Sequence, residues 1–330
     1  MLLSGGEYNN VRIVVLGALK TDISVVGVSH MPRDGEAVFG SALRIGPGGK
    51  SRNMANMITR LTNTGAVAML SHTCRDPFDL WKVPYEALQA AGVNVDFVTT
   101  VDCNPDQPYP AIAMLTVDTH GSRTSSIYNK VLSGFTRESV ENALPLFDAA
   151  SQNNGLLALS LEVNSDVVAY AMRCAAERSL RIVLDPGGLS EDAYNETLFQ
   201  QDIFLLKPNE HETKRLTGIE VTGFDTAIKA ATVLIHQNVE NVLITHGKNG
   251  AYLVGEKIEE HIMIPDLPVS AQPDATGCGD QVMATLCAFI CEGKELIEAA
   301  RSSIIAGTLQ FHRVGIQPVT RSELAAYTNY

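Results

Sequence analysis

The segment with the clearest chemical content is Asp274-Ala275-Thr276-Gly277-Cys278-Gly279-Asp280, which precedes an apolar stretch at 282–291. Glycines just before a helix let backbone N–H groups converge, and the helix dipole adds partial positive charge, so this loop is a candidate cradle for an anion. A carboxylate there, Asp280, can accept the proton of a substrate hydroxyl while the N–H groups stabilise a transferred phosphoryl group. A Gly-rich turn with an Asp that caps a helix explains the same residues. The segment alone leaves both interpretations open.

Two further segments place ligand-binding residue types between a strand-like run and a helix-like run. In Gly46-Pro47-Gly48-Gly49-Lys50-Ser51-Arg52-Asn53, paired glycines permit close approach to a ligand, and Asn53 offers a donor and an acceptor to hydroxyls. In Leu206-Lys207-Pro208-Asn209-Glu210-His211-Glu212, Asn209 can cap the next helix, and Glu212 shares its first turn, where a carboxylate can hold a metal-bound water. Helix capping alone also accounts for the second of these segments.

The composition limits the class of protein. The chain has 330 residues, 45% of them hydrophobic and 19% charged, and its net charge is −12. It can bury a substantial core, and it lacks the basic surplus of a phosphate-backbone binder, so neither nucleic acid nor an anionic membrane is an expected partner. No apolar run approaches the roughly 20 residues of a spanning helix. The amino terminus does not have the pattern of a secretory signal, so a cytoplasmic location is expected.

The six cysteines are scattered along the chain. Cys287 and Cys291 have helical spacing, but no second pair completes a zinc site. We therefore predict buried or unpaired thiols at Cys74, Cys103, Cys174, Cys278, Cys287 and Cys291.

The spacing of apolar residues predicts the elements that position these segments. Short runs rich in Val, Ile and Leu alternate with longer runs of helical spacing. We predict strands at 11–17, 66–71, 155–161, 181–185, 203–206 and 242–245, and helices at 52–62, 81–91, 165–178 and 226–237. The alternation predicts an α/β domain over 11–330, with a doubly wound, mostly parallel sheet flanked by helices. Residues 1–10 are predicted to form a flexible extension.

Two segments interrupt this alternation. Residues 23–45 and 111–128 favour strands joined by turns, with no helix between them. Such material does not fit a βαβ core, so we predict a small antiparallel β lid that projects from one edge. The lid sheet has an edge or face that can pair with a second copy of the chain, and a homodimer through the lid is therefore expected.

Taken together and in this order, the three segments resemble the PfkB (ribokinase-like) family of carbohydrate kinases, and within it the ribokinase branch. The shared patterns are GG-x-x-x-N ending at Asn53, N-x-x-E ending at Glu212 and D-x-T-G-x-G-D ending at Asp280. The resemblance extends over nearly the whole chain. It implies an α/β core with a β lid that closes over a sugar.

The resemblance also implies roles for individual residues. Asp280 is the implied catalytic base, and the N–H groups of Gly277, Cys278 and Gly279 form the implied anion hole. The implied substrate-binding residues are Asp22, Gly49, Asn53 and Glu162, to which Lys50 is added. ATP and Mg²⁺ are the implied cofactors, with Asn209 and Glu212 at the Mg²⁺ and phosphate site and Thr245 and Gly247 at the nucleotide phosphates. Asp274 and Thr276, with the loop at 310–319, resemble the family's monovalent-cation site, so K⁺ is a further candidate.

The chain departs from the family pattern at several positions that bear on the substrate. Ser51 and Arg52 replace small residues, Cys278 replaces the usual Ala, and Gln281 follows the base. Arg52 resembles the pseudouridine kinase branch, and with Lys50 it is a candidate to bind a substrate phosphate.

We predict ATP-dependent phosphorylation of a primary hydroxyl of a small furanose-like sugar, with D-ribose as the leading substrate. The alternatives are a nucleoside such as pseudouridine or adenosine, fructose or another sugar, or a phosphosugar. A catalytically silent sugar-binding regulatory protein is the alternative from a different class.

Overall fold

A computed structural model of the chain describes residues 8–188, 196–267 and 274–328. Its strands are β1 Ile13–Leu16, β2 Lys20–Val28, β3 Ala42–Gly48, β4 Val67–Arg75, β5 Val98–Asp102, β6 Ile112–Asp118, β7 Arg123–Tyr128, β8 Leu156–Ser160, β9 Arg181–Asp185, β10 Ile203–Leu206, β11 Val239–Thr245, β12 Ala251–Gly255 and β13 Ile258–Ile262. Its α-helices are α1 Lys50–Thr59, α2 Lys82–Ala90, α3 Arg137–Asn142, α4 Leu144–Gln152, α5 Ser165–Ala176, α6 Glu210–Thr217, α7 Phe224–Ile235, α8 Cys278–Cys291, α9 Leu296–Phe311 and α10 Arg321–Ala325. Short 3-10 helices lie at Lys130–Gly134, Glu196–Phe199 and Gly247–Asn249.

The main sheet has nine strands in the order β13-β12-β11-β10-β9-β8-β1-β4-β5. All neighbours from β11 to β5 pair in parallel, and β12 and β13 are antiparallel additions at one edge. Side chains of the interior strand β1 alternate between two layers, since Val14 and Leu16 join one apolar cluster while Ile13 and Val15 join the other. Helices cover both faces, which confirms the predicted doubly wound α/β sheet.

The direction of winding reverses beside β1. The chain passes from β1 to β4 and β5 on one side, and then returns to β8 on the other. In open α/β sheets, ligands bind outside the carboxyl ends of the strands at such a reversal. Lys20 follows β1 and Glu162 follows β8, so the topology brings these two residues to that position.

A second sheet of four strands, in the order β3-β2-β6-β7, forms the predicted lid. Strands β2 and β6 run parallel at its centre, and the outer pairs are antiparallel. The strands begin and end outside the predicted segments, at Lys20 and Gly48. The lid faces the core through one surface, where Arg123 Nη1 donates to Thr276 Oγ1 (2.9 Å).

The predicted elements are present with shifted ends. Helix 52–62 corresponds to α1, helix 81–91 to α2, helix 165–178 to α5 and helix 226–237 to α7. The edge strands β5 and β13, and β12 beside β13, were not predicted. Strand β13, Ile-Glu-Glu-His-Ile, has charged residues at its centre because an edge strand is partly open to solvent.

The folded part of the chain includes residues before Val11, the predicted start of the domain. Tyr8 is buried, and its ring packs on Phe97 with centroids 5.5 Å apart. Residues 1–7 of the predicted extension lie outside the described residues.

The prediction of unpaired thiols is wrong for one pair of cysteines. Cys74 and Cys103 form a disulfide across a sequence separation of 29 residues. Strands β4 and β5 are neighbours, and Cys74 lies opposite Val101 in their register, which brings Cys103 within reach. Sequence spacing alone does not reveal strand adjacency. The other four cysteines are free thiols, as predicted.

The described residues were compared with the features of a membrane-spanning helix and of a metal-binding cluster. Within the described residues, no helix combines the length and the apolar character needed to cross a membrane. Across the same parts of the chain, no group of three His, Cys, Asp or Glu side chains converges to hold a metal ion.

Candidate active site

Asp280 lies on the first turn of α8, at the carboxyl end of the main sheet. Gly277 caps this helix in the left-handed region (φ 76°), which allows the loop to turn sharply into it. Asp280 is only 8% exposed, and its Oδ2 accepts a hydrogen bond from Asn53 Nδ2 (2.7 Å). Burial raises the pKa of Asp280 above its usual range, while Lys50 and Asn53 counteract this effect. A buried carboxylate with a raised pKa is suited to accept a proton.

The N–H groups of the predicted anion hole lie at the loop and first turn that begin α8. The first N–H groups of a helix have no intrahelical acceptor, which leaves those of Gly279 and Asp280 directed out of α8. The N–H of Cys278 donates to Ala275 O (3.3 Å). Burial also raises the pKa of the Cys278 thiol to about 12, so the side chain that departs from the family pattern is a neutral thiol.

Lys50 joins the predicted base to a second carboxylate. Its Nζ lies 3.8 Å from Asp280 Oδ1 and 3.4 Å from each carboxylate oxygen of Asp185. Lys207 Nζ contacts Asp185 from the other side (2.8 Å). Burial alone would raise the pKa of Asp185, but Lys207 and Lys50 hold it below its usual range. We call these four residues the charge cluster; its two positive and two negative charges balance.

The predicted substrate-binding residue Glu162 is held by buried donors. Lys20 Nζ contacts Glu162 Oε1 (2.6 Å), and both side chains are less than a tenth exposed. Glu162 Oε2 accepts hydrogen bonds from Ser51 N (3.3 Å) and Ser160 Oγ (3.2 Å). Ser51 Oγ also bonds Ser160 Oγ (2.7 Å). The departure at Ser51 therefore supports Glu162 and joins α1 to β8.

Two glycines allow close approaches on the lid side of the site, Gly48 to the Asp22 side chain and Gly49 to the Ala18 backbone. A Cβ on Gly48 would fall 2.0 Å from Asp22 Oδ1, and a Cβ on Gly49 (φ 96°) would fall 2.5 Å from Ala18 O. Burial raises the pKa of Asp22 to about 6, against the opposing effects of Arg52 and Lys20. Asp22 therefore lies at the lid side of the site with an acceptor for a hydroxyl.

Arg52 is the largest of the fully buried side chains, at 1% exposure. One of its nitrogens donates to Pro47 O, and the other two, Nε and Nη1, have no partner among the described residues. Burial lowers the pKa of the guanidinium to about 10, against Asp22 and Asp280. The lid side of the site thus contains unused donors.

The predicted nucleotide side is built from two neighbouring strand ends. Asn209 and Glu212 form a reciprocal cap of α6, with Asn209 N on Glu212 Oε2 (2.9 Å) and Glu212 N on Asn209 Oδ1 (2.7 Å). Thr245 ends β11, and its N–H donates to Pro208 O (3.0 Å). Gly247 has φ 47° and open space where a Cβ would be. Glu212 Oε1 remains outside the cap and lies beside Gly187 and Lys50.

The segments that resemble a cation site are joined by protein groups. Asp274 Oδ1 accepts from Thr276 N, and Oδ2 accepts from Gly315 N, each at 2.8 Å. Gln310 Nε2 donates to the carbonyls of both Thr276 (3.1 Å) and Gly315 (2.7 Å).

Several residues at the site were not predicted as functional. They are Lys20, Asp185, Lys207 and Arg123. A signal existed for two of them, because Asp185 ends an apolar strand and Lys207 directly follows another, and such positions face ligands in a parallel sheet. Lys20 and Arg123 lie at the junction with the lid and in a lid strand, with no local pattern. Gln310 begins the loop that resembles the cation site, but its hydrogen bonds to two carbonyls were not predicted.

The chain is similar to known proteins over most of its length. A family model described as pfkB family carbohydrate kinase matches residues 10–321. A deoxyribokinase of Salmonella typhi is 24% identical over 305 residues, which covers 92% of this chain and 94% of the relative. A ribokinase of Arabidopsis thaliana is 28% identical, over 90% of this chain and 75% of the relative.

A solved structure has the same fold. It is that of Arabidopsis thaliana ribokinase complexed with ribose and ATP, which superposes with a TM-score of 0.82 at 23% identity and covers 96% of this chain and 98% of that one. The fold, the order of the three motif segments and the family match agree over the same residues. The chain therefore belongs to the PfkB family of carbohydrate kinases, phosphotransferases that act on sugar hydroxyls.

Proposed function

We propose that the protein phosphorylates a primary hydroxyl of a small furanose-like sugar with ATP, and that D-ribose is its leading substrate. The observation that carries the proposal is Asp280, a buried carboxylate on a helix N-terminal turn, held by Asn53 and balanced by Lys50. Relatives named ribokinase and deoxyribokinase support a pentose acceptor.

Asp280 accepts the proton of the sugar hydroxyl in this proposal. Its raised pKa makes it a stronger base than an exposed Asp, and Asn53 fixes the orientation of the carboxylate. The N–H groups of Gly279 and Asp280 stabilise the negative charge of the transferred phosphoryl group at the start of α8. Lys50 lies beside the base and adds positive charge where the reacting groups meet.

Sugar hydroxyls are bound by the polar residues on the lid side. The Asp22 carboxylate accepts hydrogen bonds, and Asn53 Oδ1 is buried without a partner in the described residues. The Lys20–Glu162 pair orders the pocket wall between β1 and β8. Gly49 permits the backbone to approach the ligand closely.

ATP binds at the ends of β10 and β11, where Asn209, Thr245 and Gly247 face the nucleotide phosphates. The donor set fits Mg²⁺, which commonly takes one or two protein carboxylates together with phosphates and water, because Glu212 keeps one oxygen free of the helix cap. When bound, Mg²⁺ neutralises phosphate charge and orients the nucleotide. Asn209 and Glu212 are the residues that would hold it.

A pyrimidine nucleoside such as pseudouridine is the second candidate substrate, and Arg52 favours it. Its unpartnered Nε and Nη1 are donors, and the carbonyl oxygens of a pyrimidine base are acceptors that carry no proton of their own, whereas each ribose hydroxyl accepts a hydrogen bond but also needs an acceptor for its own proton. Arg52→Ala should weaken nucleoside binding more than ribose binding if the nucleoside is the substrate.

The test is an ADP-release assay with Mg²⁺ and ATP across ribose, deoxyribose, fructose, fructose 1-phosphate, adenosine and pseudouridine. Turnover on ribose supports the leading proposal, and turnover on pseudouridine alone replaces it with the second. The Asp280→Asn variant measures background ATP hydrolysis. No sugar-dependent ADP release with any acceptor, in protein whose melting temperature rises with ATP, would refute the kinase proposal and leave a binding protein.

A homodimer through the lid is part of the same proposal. Leu43, Ile45 and Met114 are 66%, 53% and 62% exposed on the lid face opposite Asp22, and Ile23 aligns with both Ile45 and Met114. A contiguous exposed apolar face is typical of an association surface. Light scattering should show a dimer that Leu43→Lys dissociates. Met263→Lys, equally exposed at 66%, is the matched control and should leave the dimer intact.

A further inference from the structure

Gln310 is a fully buried polar side chain on the last turn of α9, at 0% exposure. Its Nε2 donates to Thr276 O (3.1 Å) in the loop that leads into α8 and to Gly315 O (2.7 Å) in the loop after α9. Its Oε1 accepts from Gln317 N (3.3 Å). The carboxamide therefore joins the two segments that resemble a monovalent-cation site.

The other oxygens of this region also have donors. Both oxygens of Asp274 accept backbone N–H groups, from Thr276 and Gly315. Arg123 of the lid donates to Thr276 Oγ1 (2.9 Å). Burial alone would raise the pKa of Asp274, but these hydrogen bonds and the charge of Arg123 lower it. The carboxylate is thus stabilised entirely by protein donors.

These residues do not fit a potassium ion. A hard cation requires several oxygen ligands with free lone pairs, and the carbonyls of Thr276 and Gly315 are already bridged by a buried NH₂ group. At the end of the same loop, Val319 is fully buried and has no hydroxyl, and its N–H donates to Gln281 Oε1 (2.9 Å). A cation placed between the loops would compete with the Gln310 NH₂ group for the carbonyl oxygens of Thr276 and Gly315 and with backbone N–H groups for the Asp274 carboxylate.

We infer that the Gln310 carboxamide takes the place of the monovalent cation, so the kinase works without potassium activation. Gln310 is a positioning residue: a Cβ built on Gly277 lies 3.9 Å from its Nε2, so the amide supports the turn that begins α8 and its anion hole. The inference rests on the proposed kinase function for its activity readout. The hydrogen bonds of the Gln310 carboxamide then keep the loop ordered without a bound cation.

The first experiment uses the unmodified protein. Turnover and melting temperature are measured in potassium, sodium and tetramethylammonium chloride at constant ionic strength, which removes general screening effects. We expect both quantities to be the same in the three salts. A severalfold higher turnover, or a higher melting temperature, in potassium alone overturns the inference.

Two variants then test Gln310 itself. Gln310→Met keeps the volume but loses both donors, so turnover should fall about tenfold, the effect of one to two hydrogen bonds of about 1 kcal/mol each, and potassium should not restore it. Gln310→Ala frees the two carbonyls and leaves space for an ion. Potassium, but not tetramethylammonium, should restore its turnover and raise its melting temperature by about 2 °C at about ten times Kd.

Gln317→Ala is the matched control, because the Gln317 side chain lies on the same loop and, among the described residues, bonds only Val314 O. It should behave like the unmodified protein in all three salts. Two results would contradict the inference that the Gln310 amide replaces the cation. One is full turnover of Gln310→Met, and the other is a folded Gln310→Ala whose melting temperature does not change with potassium. The melting readout needs no turnover, so failure of the kinase proposal and failure of this inference remain distinguishable.

Discussion

Asp280→Asn is the substitution that tests the proposed chemistry most directly. Asparagine has nearly the same shape, and its Oδ1 can still accept the hydrogen bond that Asn53 Nδ2 donates at 2.7 Å. Its amide nitrogen then faces Lys50 Nζ, which lies 3.8 Å from Asp280 Oδ1. The variant therefore keeps its place on α8 but cannot accept a proton.

The size of the effect follows from the role of the residue. Loss of a positioned general base costs about 10²- to 10⁴-fold in rate, or about 3 to 5 kcal/mol of transition-state stabilisation. The charge cluster changes from a formal charge of 0 to +1, because two positive charges then oppose only Asp185. Nucleotide affinity should therefore stay the same or increase, and the loss should be confined to kcat.

Stability supplies an independent readout of the same substitution. A carboxyl whose pKa is raised by folding binds its proton more tightly in the folded than in the unfolded chain, so the free energy of unfolding decreases as the pH rises above the usual value of 3.8. Asp280→Asn removes this decrease. At neutral pH the melting temperature of the variant should therefore exceed that of the unmodified protein. At acidic pH this difference should be smaller.

The assay is steady-state kinetics on the best acceptor, with ATP affinity measured by calorimetry. Asp225→Asn is the matched control, since Asp225 is an exposed carboxylate on the first turn of α7, and it should leave kcat unchanged. A loss in kcat below about tenfold with intact ATP binding would contradict general-base catalysis by Asp280.

Three other predictions concern pH, packing and the disulfide. Because burial raises the pKa of Asp22 to about 6, KM for the sugar should rise as the pH falls through this value. Asp22→Asn should abolish that dependence. A sugar KM of the unmodified protein that stays constant across this range would count against a role of Asp22 in sugar binding. Lys20→Met leaves Glu162 buried and unpaired, so denaturant unfolding should show a loss of about 3 to 5 kcal/mol, whereas an unchanged midpoint would mean that the pair is not buried in solution. Reduction of Cys74–Cys103, which closes a loop across 29 residues, should lower the free energy of unfolding by about 3.6 kcal/mol. Identical melting curves with and without reductant would exclude the bond.

Much of the fold was predictable because it depends on local spacing. Consecutive apolar residues at Ile13–Leu16 and within Arg181–Asp185 indicated strands covered on both faces, and both strands lie inside the main sheet with a neighbour on each side. Turn-rich segments without a helix indicated the lid, which exists as a separate sheet. Strand β13 was missed because it lies at the sheet edge, where charged residues weaken the apolar signal. Strand β12 was missed although all five of its residues are buried.

The candidate site was predictable where its residues belong to a motif. Asp280, Asn53 and Glu212 each lie in a short glycine- or cap-containing segment, and the fold brings Asn53 to Asp280. The charge cluster was recognised only in part. Lys50 is 135 residues from Asp185 in sequence, and no local pattern connects two residues at that distance.

The sequence by itself determined the layers of the fold and the segments that turn into helices at ligand-facing ends, because 3.6-residue and 2-residue periodicities and glycine conformations are local properties. The tertiary structure alone decided which side chains meet. Strand order places Lys50 and Lys207 on Asp185, and it joins Cys74 to Cys103. The packing of α9 against α8 places the Gln310 amide between two carbonyl groups that are 39 residues apart in the chain. Such contacts depend on long-range packing, which local patterns do not encode.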